Sequence, residues 1–232
     1  MITRKDLLFL LGVTLFFLPF FLFDKLFETY YQFNLEHGLL MSFIKFFLLA
    51  TLGELIGLRI KTGRYYYKGF GLIPRAIVWG FLGISIYMAF AIFSSGTPVL
   101  LEKIGFENAS GILHSELSWK KVVVSFSIAT ALNLFYAPVL MSFHKITDIH
   151  ILENGGTLRG FFRPIQFARI FSEINWDVQW NFVFKRTIPL FWIPAQTITF
   201  LLPEEYRVLF AAFLGIVLGV ILAVAALKGA GS

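Results

Sequence analysis

Long apolar runs alternate with short polar segments along the whole chain. A helix needs about 20 mostly apolar residues to cross a bilayer, and somewhat fewer where flanking side chains reach the headgroups. Six runs meet this requirement: residues 7–23, 39–58, 76–93, 122–143, 187–202 and 208–227. The pattern therefore predicts an all-α bundle of about six transmembrane helices in a single polytopic domain, 1–232.

The placement of the basic residues predicts which loops lie on the cytoplasmic side, because short cytoplasmic loops are enriched in Lys and Arg. Most of the 20 basic residues fall at the two predicted ends and in the second and fourth loops: Arg4, Lys5, Arg59, Lys61, Arg64, Lys68, Arg75, Lys145, Arg159, Arg163, Arg169, Lys185, Arg186 and Lys228. Acidic residues outnumber basic ones in the other loops. We expect both termini on the cytoplasmic or matrix side of a bacterial plasma membrane or an organelle inner membrane.

Composition supports membrane insertion over a soluble fold. Hydrophobic residues make up 57% of the 232 residues and charged ones 15%, with a mean hydropathy of +0.76; soluble domains have about 25% charged residues. The net charge of +6 is explained by topology and by attraction to anionic lipid, so nucleic acid is not an expected partner. The lipid bilayer is the expected partner.

Two connecting segments are predicted to form amphipathic helices at the membrane interface. Their apolar stripes sit at helical spacing, and aromatic or basic residues flank them. The residues are Leu26, Phe27, Tyr30 and Tyr31 in the first segment and Phe167, Ile170, Phe171, Ile174 and Val178 in the second. Pro164 is placed where it could begin the second helix.

Several polar residues interrupt the apolar runs. A charge at the bilayer centre costs about 2.5–3.5 kcal/mol on insertion scales, so Glu54 is expected to face the bundle interior or a wet cavity. Lys45 is expected to extend toward the headgroups. The uncharged polar groups either join helices or line a solute path. The candidate path residues are Glu54, Tyr87, Asn133, Tyr136, Gln196 and Thr199.

Proline and glycine positions predict one broken helix and one close helix contact. Pro189 and Pro194 each remove a backbone hydrogen bond within the fifth run, which predicts a short, interrupted helix. Small residues four apart let helices approach closely. Gly53 and Gly57 in the second run, and Gly215 and Gly219 in the sixth, predict such packing within the chain or between copies in a homo-oligomer.

No cofactor, metal site or catalytic residue is expected. The chain has no cysteine, which excludes thiolate chemistry. His144 and Asp148 share a helical face, but His150 does not, and no further residue completes a standard zinc spacing. An integral-membrane enzyme acting on lipid remains a third possibility, built from Glu54, the histidines and the inner arginines.

The C-terminal third resembles the Mpv-seventeen/PMP-twenty-two family of peroxisomal and mitochondrial inner-membrane proteins. That family carries a Trp-Pro pair, a Gln, an Asn-Phe and a Pro followed by Tyr and Arg. Here Pro194 lies one position late, Thr199 replaces the Asn, and one residue is missing before Pro203. The matching residues, in order, are Trp192, Gln196, Phe200, Pro203, Tyr206 and Arg207.

Two upstream elements are similar to the same family. Gly53-Glu54 resembles its Gly-Asp pair, and Asn133 to Pro138 resembles its Asp-Gln element with the Asp lost. The resemblance implies a family-like core at 37–228, preceded by an extra N-terminal helix and interfacial segment at 1–36. It also implies a small channel-like protein for polar or charged solutes. The alternative is a non-transporting scaffold that binds lipids or partner proteins.

Overall fold

The computed structural model describes the backbone of residues 3–229 and the side chains of residues 3–221. This part of the chain is helical, with connecting turns and no strand. The helices are α1 Arg4–Phe17, α2 Pro19–Leu22, α3 Asp24–Glu36, α4 Gly38–Thr62, α5 Leu72–Lys103, α6 Ala109–Leu113, α7 Trp119–Phe135, α8 Ala137–Glu153, α9 Leu158–Phe161, α10 Phe167–Glu173, α11 Trp176–Val178, a π-helix π1 Gln179–Trp192, α12 Ile193–Leu201 and α13 Glu204–Gly229. The all-α prediction is confirmed for these residues.

The chain divides into two compact units, Met1–Met41 and Ser42–Ser232. In the first, Thr3 and Asp6 form a capping box that begins α1, and Pro19 takes the first position of α2. The ring of Phe20 meets the edge of Tyr30 on α3 at 5.8 Å between centroids. α1, α2 and α3 bury none of their residues.

The second unit is built around α7, which packs against α5, α6, α12 and π1. Val124 and Ile128 on α7 lie four residues apart on one face, and both are fully buried together with the adjacent Ala129. Phe200 on α12 is also fully buried and packs against Phe90 on α5, with ring centroids 5.1 Å apart. These contacts bring the middle of α5, α7 and α12 together.

Glycines allow α4 to approach both α5 and α13. A Cβ on Gly53 would lie 3.1 Å from the Cα of Ile216, and one on Gly83 would lie 2.6 Å from the carbonyl oxygen of Ser42. Gly219 faces the backbone of Gly53 across the same contact with α13. Gly215 departs from the predicted packing role, because a Cβ there would meet no atom within 4 Å.

The predicted fourth span is two helices rather than one. α7 and α8 are bent by 43° at Tyr136, next to Pro138, which cannot donate the backbone hydrogen bond that would continue the helix. α8 then continues to Glu153, ten residues beyond the predicted end. His144 and Asp148 therefore lie on this helix rather than in a loop.

The predicted fifth span is interrupted, as the prolines suggested. Gln179–Trp192 is a π-helix with Pro189 inside it, and the backbone changes to α-helix at Ile193. Pro194 sits in the first turn of α12, directly after the change from π-helix to α-helix. The polar residue Gln196 therefore lies on a short helix of nine residues.

Within the described part of the chain, two helices, α4 and α5, are long and apolar enough to cross a membrane, or three if α7 and α8 together count as one bent span. This is consistent with a membrane protein. The predicted first span differs in form: it is divided into α1, of 14 residues, and α2, of four.

The second predicted interfacial helix is also divided. Pro164 does not begin a helix, because α10 starts at Phe167 and α11 follows after a break. Ile170 and Ile174 are buried against Ile146 of α8, whereas Phe167, Phe171 and Val178 are exposed. Two of the five residues of the predicted stripe therefore pack on protein.

Candidate solute-binding cavity

A cavity of about 440 Å³ lies within the second unit, between α4, α5, α7, α8, α12 and α13. Most of its lining is apolar, as in ligand pockets generally, and includes Phe46, Leu82, Ile86, Leu132 and Met141. Polar and charged side chains from several helices also line it: Glu54, Lys61, Arg75, Trp79, Asn133, Tyr136, His144, Asp148, Trp192 and Gln196.

Arg75 is the centre of a charged cluster in this cavity. Its side chain is 8% exposed, and its Nη1 donates to Glu54 Oε2 at 2.8 Å and to Asp148 Oδ1. Its Nε donates to the carbonyl oxygen of Phe70 at 2.8 Å. Burying charges costs several kcal/mol per ion, and this cost is offset only where charges are paired and hydrogen-bonded. The cluster meets both conditions.

Trp79 and His144 complete the cluster. The Trp79 indole donates to Glu54 Oε1 at 2.7 Å, and its ring lies 4.4 Å from the His144 ring. His144 Nε2 lies 3.6 Å from Glu54 Oε1 and 4.0 Å from Asp148 Oδ1. α4, α5 and α8 are thus joined by one network of charge-assisted contacts.

Two glycine-rich loops hold the cluster from one side. Gly69 and Gly71 have φ of +95° and +74°, a left-handed backbone that glycine adopts without steric cost. Gly156 lies so close that a Cβ would fall 2.4 Å from the carbonyl oxygen of Gly69. This close approach fixes Phe70, whose ring also lies 4.8 Å from the Arg75 guanidinium carbon.

The three acidic and histidine side chains have the spacing of a metal site. One ligand atom each from Glu54, His144 and Asp148 lies within 4.8 Å of the others. However, the Arg75 guanidinium already contacts both carboxylates and supplies the positive charge that a metal ion would bring. We therefore interpret the cluster as a buried ion-pair network. His150 points elsewhere, with Nε2 3.1 Å from the carbonyl oxygen of Phe161.

Uncharged polar groups line the same cavity. The Tyr136 hydroxyl at the α7–α8 bend shares a hydrogen bond of 2.7 Å with Ser85 Oγ on α5. Asn133 is 3% exposed and donates through Nδ2 to the carbonyl oxygen of Ala129 in its own helix. Both side chains thus have a protein partner.

Trp192 and Gln196 differ, because each lines the cavity but also has a buried polar atom without a protein partner. Trp192 Nε1 and Gln196 Oε1 are both inaccessible and make no hydrogen bond. Gln196 is 6% exposed. An unsatisfied buried donor or acceptor costs about 1–3 kcal/mol, a cost that the packing of the surrounding helices has to offset.

Four of the six candidate path residues line this cavity: Glu54, Asn133, Tyr136 and Gln196. Tyr87 and Thr199 lie outside it. Tyr87 is 37% exposed, and Thr199 is fully buried, with its hydroxyl donating to Ala195 in its own helix. Gly53, Gly57, Gly215 and Gly219 also line the cavity.

The residues of the C-terminal motif have mostly structural contacts. Phe200 lies beneath the Arg207 guanidinium, 5.6 Å from the ring centroid, and Arg207 Nε donates to the carbonyl oxygen of Leu202. Pro203 precedes α13, while Tyr206 is 42% exposed. Trp192, on the other hand, is both part of the motif and part of the cavity.

Sequence reasoning missed Arg75, Trp79 and the joint role of His144 and Asp148. The apolar run predicted for the third span starts after Arg75, and the fourth ends before His144, so the pattern places Arg75, His144 and Asp148 in connecting segments. Trp79 lies within the third predicted span but was not singled out. Lys45 was also expected to extend outward but is only 6% exposed. Because α5 begins at Leu72, Arg75 lies in its first turn. Pro74, directly before Arg75, is the sequence signal that could have indicated a helix start here.

No family model, no curated protein and no solved structure matches this chain.

Proposed function

We propose that the chain provides a path for small polar or charged solutes across a membrane. The observation that carries this proposal is the shared cavity: four polar residues from α4, α7, the bend at Tyr136 and α12 line one space, together with a charged cluster. Ionisable groups buried among membrane helices are costly, and they typically mark solute or ion pathways.

We further propose that the solute path lies in a bundle of six spans with both termini on the cytoplasmic or matrix side. The proposal is supported by the distribution of Lys and Arg over the loops. In it, π1 and α12 together form one broken span, a form tolerated in membranes where it lines a cavity. The similarity of the C-terminal motif to the Mpv-seventeen/PMP-twenty-two family supports a channel-like role.

The test is solute flux into liposomes that contain the purified protein. We expect flux above that of empty liposomes for at least one of a panel of sugar alcohols, organic acids and salts. Glu54→Gln and Gln196→Leu should reduce it strongly, because each changes a polar group of the cavity. Glu116→Gln and Gln32→Leu make the same chemical changes at exposed positions and should leave flux unchanged.

The alternatives give different results in the same material. A folded protein with no flux above background contradicts the path. Retained capture of lipid or partner proteins by Glu54→Gln would then favour a scaffold. A lipid product that disappears in Glu54→Gln would favour a membrane enzyme.

A further inference from the structure

The charges of the Arg75 cluster do not balance while His144 is neutral. Glu54 and Asp148 are both ion-paired with Arg75, so two negative charges share one positive charge. The rest of the cavity wall around the cluster is mostly apolar, and a charge held away from water without a counter-charge is strongly destabilising. The site therefore favours one further positive charge next to the two carboxylates.

His144 is placed to supply that charge when it carries a proton. Its Nε2 lies 3.6 Å from Glu54 Oε1 and 4.0 Å from Asp148 Oδ1, which is ion-pair distance for an imidazolium. Its ring also lies 4.4 Å from the Trp79 ring, and an indole attracts cations. The His144 side chain is 22% exposed, so the charged ring is not fully removed from water.

The other charged groups around His144 are solvated or bound elsewhere. Lys61 lines the cavity but is exposed, as are the charged residues that α8, α9 and α10 add: Lys145, Glu153, Arg159, Arg169 and Glu173. Water and salt weaken the effect of exposed charges. Tyr136, at the bend between α7 and α8, is a phenol hydrogen-bonded to α5, and His150 contacts the carbonyl oxygen of Phe161. The second positive charge therefore falls to His144.

We infer that the cluster binds one exchangeable proton, carried by His144 next to Glu54 and Asp148. With this proton, two negative and two positive charges give the cluster a formal charge of zero; without it, the formal charge is −1. A divalent metal ion with neutral His144 would instead bring the charge to +1. The proton can exchange with the cavity, because His144 and Asp148 both line it.

The inference deepens the proposed function and, as regards transport, rests on it. A solute in the cavity meets the same side chains that hold the proton, so the affinities for solute and proton depend on each other. Loss of the proton leaves one negative charge in the cavity wall, which attracts cations and repels anions. We therefore expect the charge selectivity of the path to change when His144 loses its proton.

Histidine NMR measures the proton directly. The protein is labelled with ¹⁵N-histidine in lipid nanodiscs, and each of the four histidines is assigned with a His→Gln variant. At about pH 7.5, one unit above the ordinary pKa of histidine, about 6.5, we expect an imidazolium spectrum for His144. His114, which is exposed, provides the reference spectrum of a solvated ring. A neutral His144 at this pH overturns the inference.

Asp148→Asn tests the charge balance. This variant leaves one carboxylate against Arg75, so the cluster is balanced without a proton, and His144 should give a neutral spectrum at about pH 7.5. Asp177→Asn makes the same chemical change at an exposed position and should leave the His144 spectrum as it is in the unmodified protein. Equal protonation of His144 in both variants would contradict the assigned role of the carboxylates.

The same samples separate a proton from a monovalent metal ion. Replacing sodium or potassium by choline in the buffer should leave the His144 spectrum unchanged, because the site is already neutral with its proton. A His144 that becomes protonated only after the metal ion is removed would show that the ion supplies the positive charge, and this result overturns the proton site.

Flux of choline and methanesulfonate, which keep their charges at every pH, tests the coupling. As His144 loses its proton, the ratio of choline to methanesulfonate flux should rise about tenfold, the effect of one unit charge about 10 Å away at an effective dielectric constant of about 20. His144→Gln should abolish this pH dependence, and His114→Gln, the same change at an exposed position, should retain it.

The two measurements keep this inference separate from the transport proposal. A protonated His144 in a protein without flux contradicts the path and leaves the proton site. Flux in a protein whose His144 is neutral contradicts the proton site and leaves the path. Flux whose charge selectivity stays constant while His144 loses its proton contradicts the coupling of the two.

Discussion

Arg75 shows how a charge can be retained inside an apolar unit. Its guanidinium lies between Glu54 and Asp148 and is 8% exposed. Arg169 has the same chemistry at the surface, between Glu153 and Glu173, with 40% of its side chain exposed. Both arginines lie between two carboxylates, one in buried and one in solvated surroundings. The stability contribution of this arrangement can therefore be compared between the two sites.

We predict that Arg75→Gln lowers the free energy of unfolding by about 3–5 kcal/mol, because it leaves two buried carboxylates without a positive partner. Asp148→Asn should cost less, since Arg75 then keeps Glu54. Thermal unfolding in lipid nanodiscs measures both. The matched control is Arg169→Gln, for which exposed pairs predict about 0–1 kcal/mol.

A double variant tests the pairing itself. Arg75→Gln combined with Glu54→Gln should be less destabilised than the sum of the two single variants, because neither then leaves the other charge unpaired. Additive losses would contradict the view that the two residues stabilise each other.

At the scale of elements, the contact between α4 and α13 depends on the absence of a side chain at Gly53. We predict that Gly53→Ala destabilises the protein by about 1–3 kcal/mol, since a Cβ would force the Ile216 backbone to move. Gly215→Ala and Gly96→Ala have open space around the new methyl group. They should be neutral or stabilising by up to about 1 kcal/mol, because alanine is the better helix former.

Thermal unfolding of the three glycine variants in the same lipid is the measurement. A Gly53→Ala protein as stable as Gly96→Ala would show that α4 and α13 are not in close contact. A Gly215→Ala protein as unstable as Gly53→Ala would show that the smooth face of α13 packs along its whole length, as the spacing of its small residues suggests.

The proline at position 138 is a local cause of the bend between α7 and α8, and its contribution can be tested. Pro138→Ala restores a backbone N–H that can reach the carbonyl of Leu134, which favours a continuous helix. With a rise of 1.5 Å per residue, straightening a 43° bend would lengthen the distance between residues 120 and 152 by about 3 Å.

Spin labels at Lys120→Cys and Leu152→Cys measure this distance, because both positions are exposed and the chain has no native cysteine. Pro189→Ala is the control, since it lies in π1 and should leave the distance unchanged. An unchanged distance in Pro138→Ala would mean that packing around Ala137 and the Tyr136–Ser85 hydrogen bond maintain the bend without the proline.

At the scale of the whole molecule, the sequence predicted the apolar helices and several cavity residues but not how they are joined. Apolar periodicity located α4 and α5 because burial and membrane insertion both favour such runs. It placed the start of α5 after Arg75 and the end of α8 before His144, because an apolar run is counted only up to the ionisable residues that flank it. The ion pairs of Arg75 join residues 21 and 73 positions away, a distance at which no local pattern operates.

The sequence also could not predict that Trp192 Nε1 and Gln196 Oε1 lack hydrogen-bond partners. A glutamine in an apolar run predicts a polar contact, and the prolines predicted the interrupted helix that carries it. Whether a neighbouring helix satisfies that glutamine depends on the packing of α7 and α13 around it. Asn133 on α7, which has the same side-chain amide group, bonds within its own helix.

The proposal of six spans predicts the side of the membrane on which each loop lies. Introduced single cysteines can test this, because the chain has no native cysteine. Single cysteines at Lys68 and Arg159 should react with a membrane-impermeant maleimide only after permeabilisation, because their loops are predicted to lie inside. Cysteines at Glu28, Glu116 and Glu204 should react in intact cells. All five positions are exposed, so differences in labelling report the side of the membrane rather than burial.

Glu28 and Glu204 are the decisive positions, because each follows a predicted span that the fold divides, α1 with α2 and π1 with α12. Protection of Glu204→Cys with labelling of Glu116→Cys would mean that π1 and α12 enter the membrane without crossing it. The cavity wall formed by Trp192 and Gln196 would then belong to a re-entrant segment open to one side. A solute bound there could not pass through, and the protein would be a binding protein in the membrane rather than a path across it.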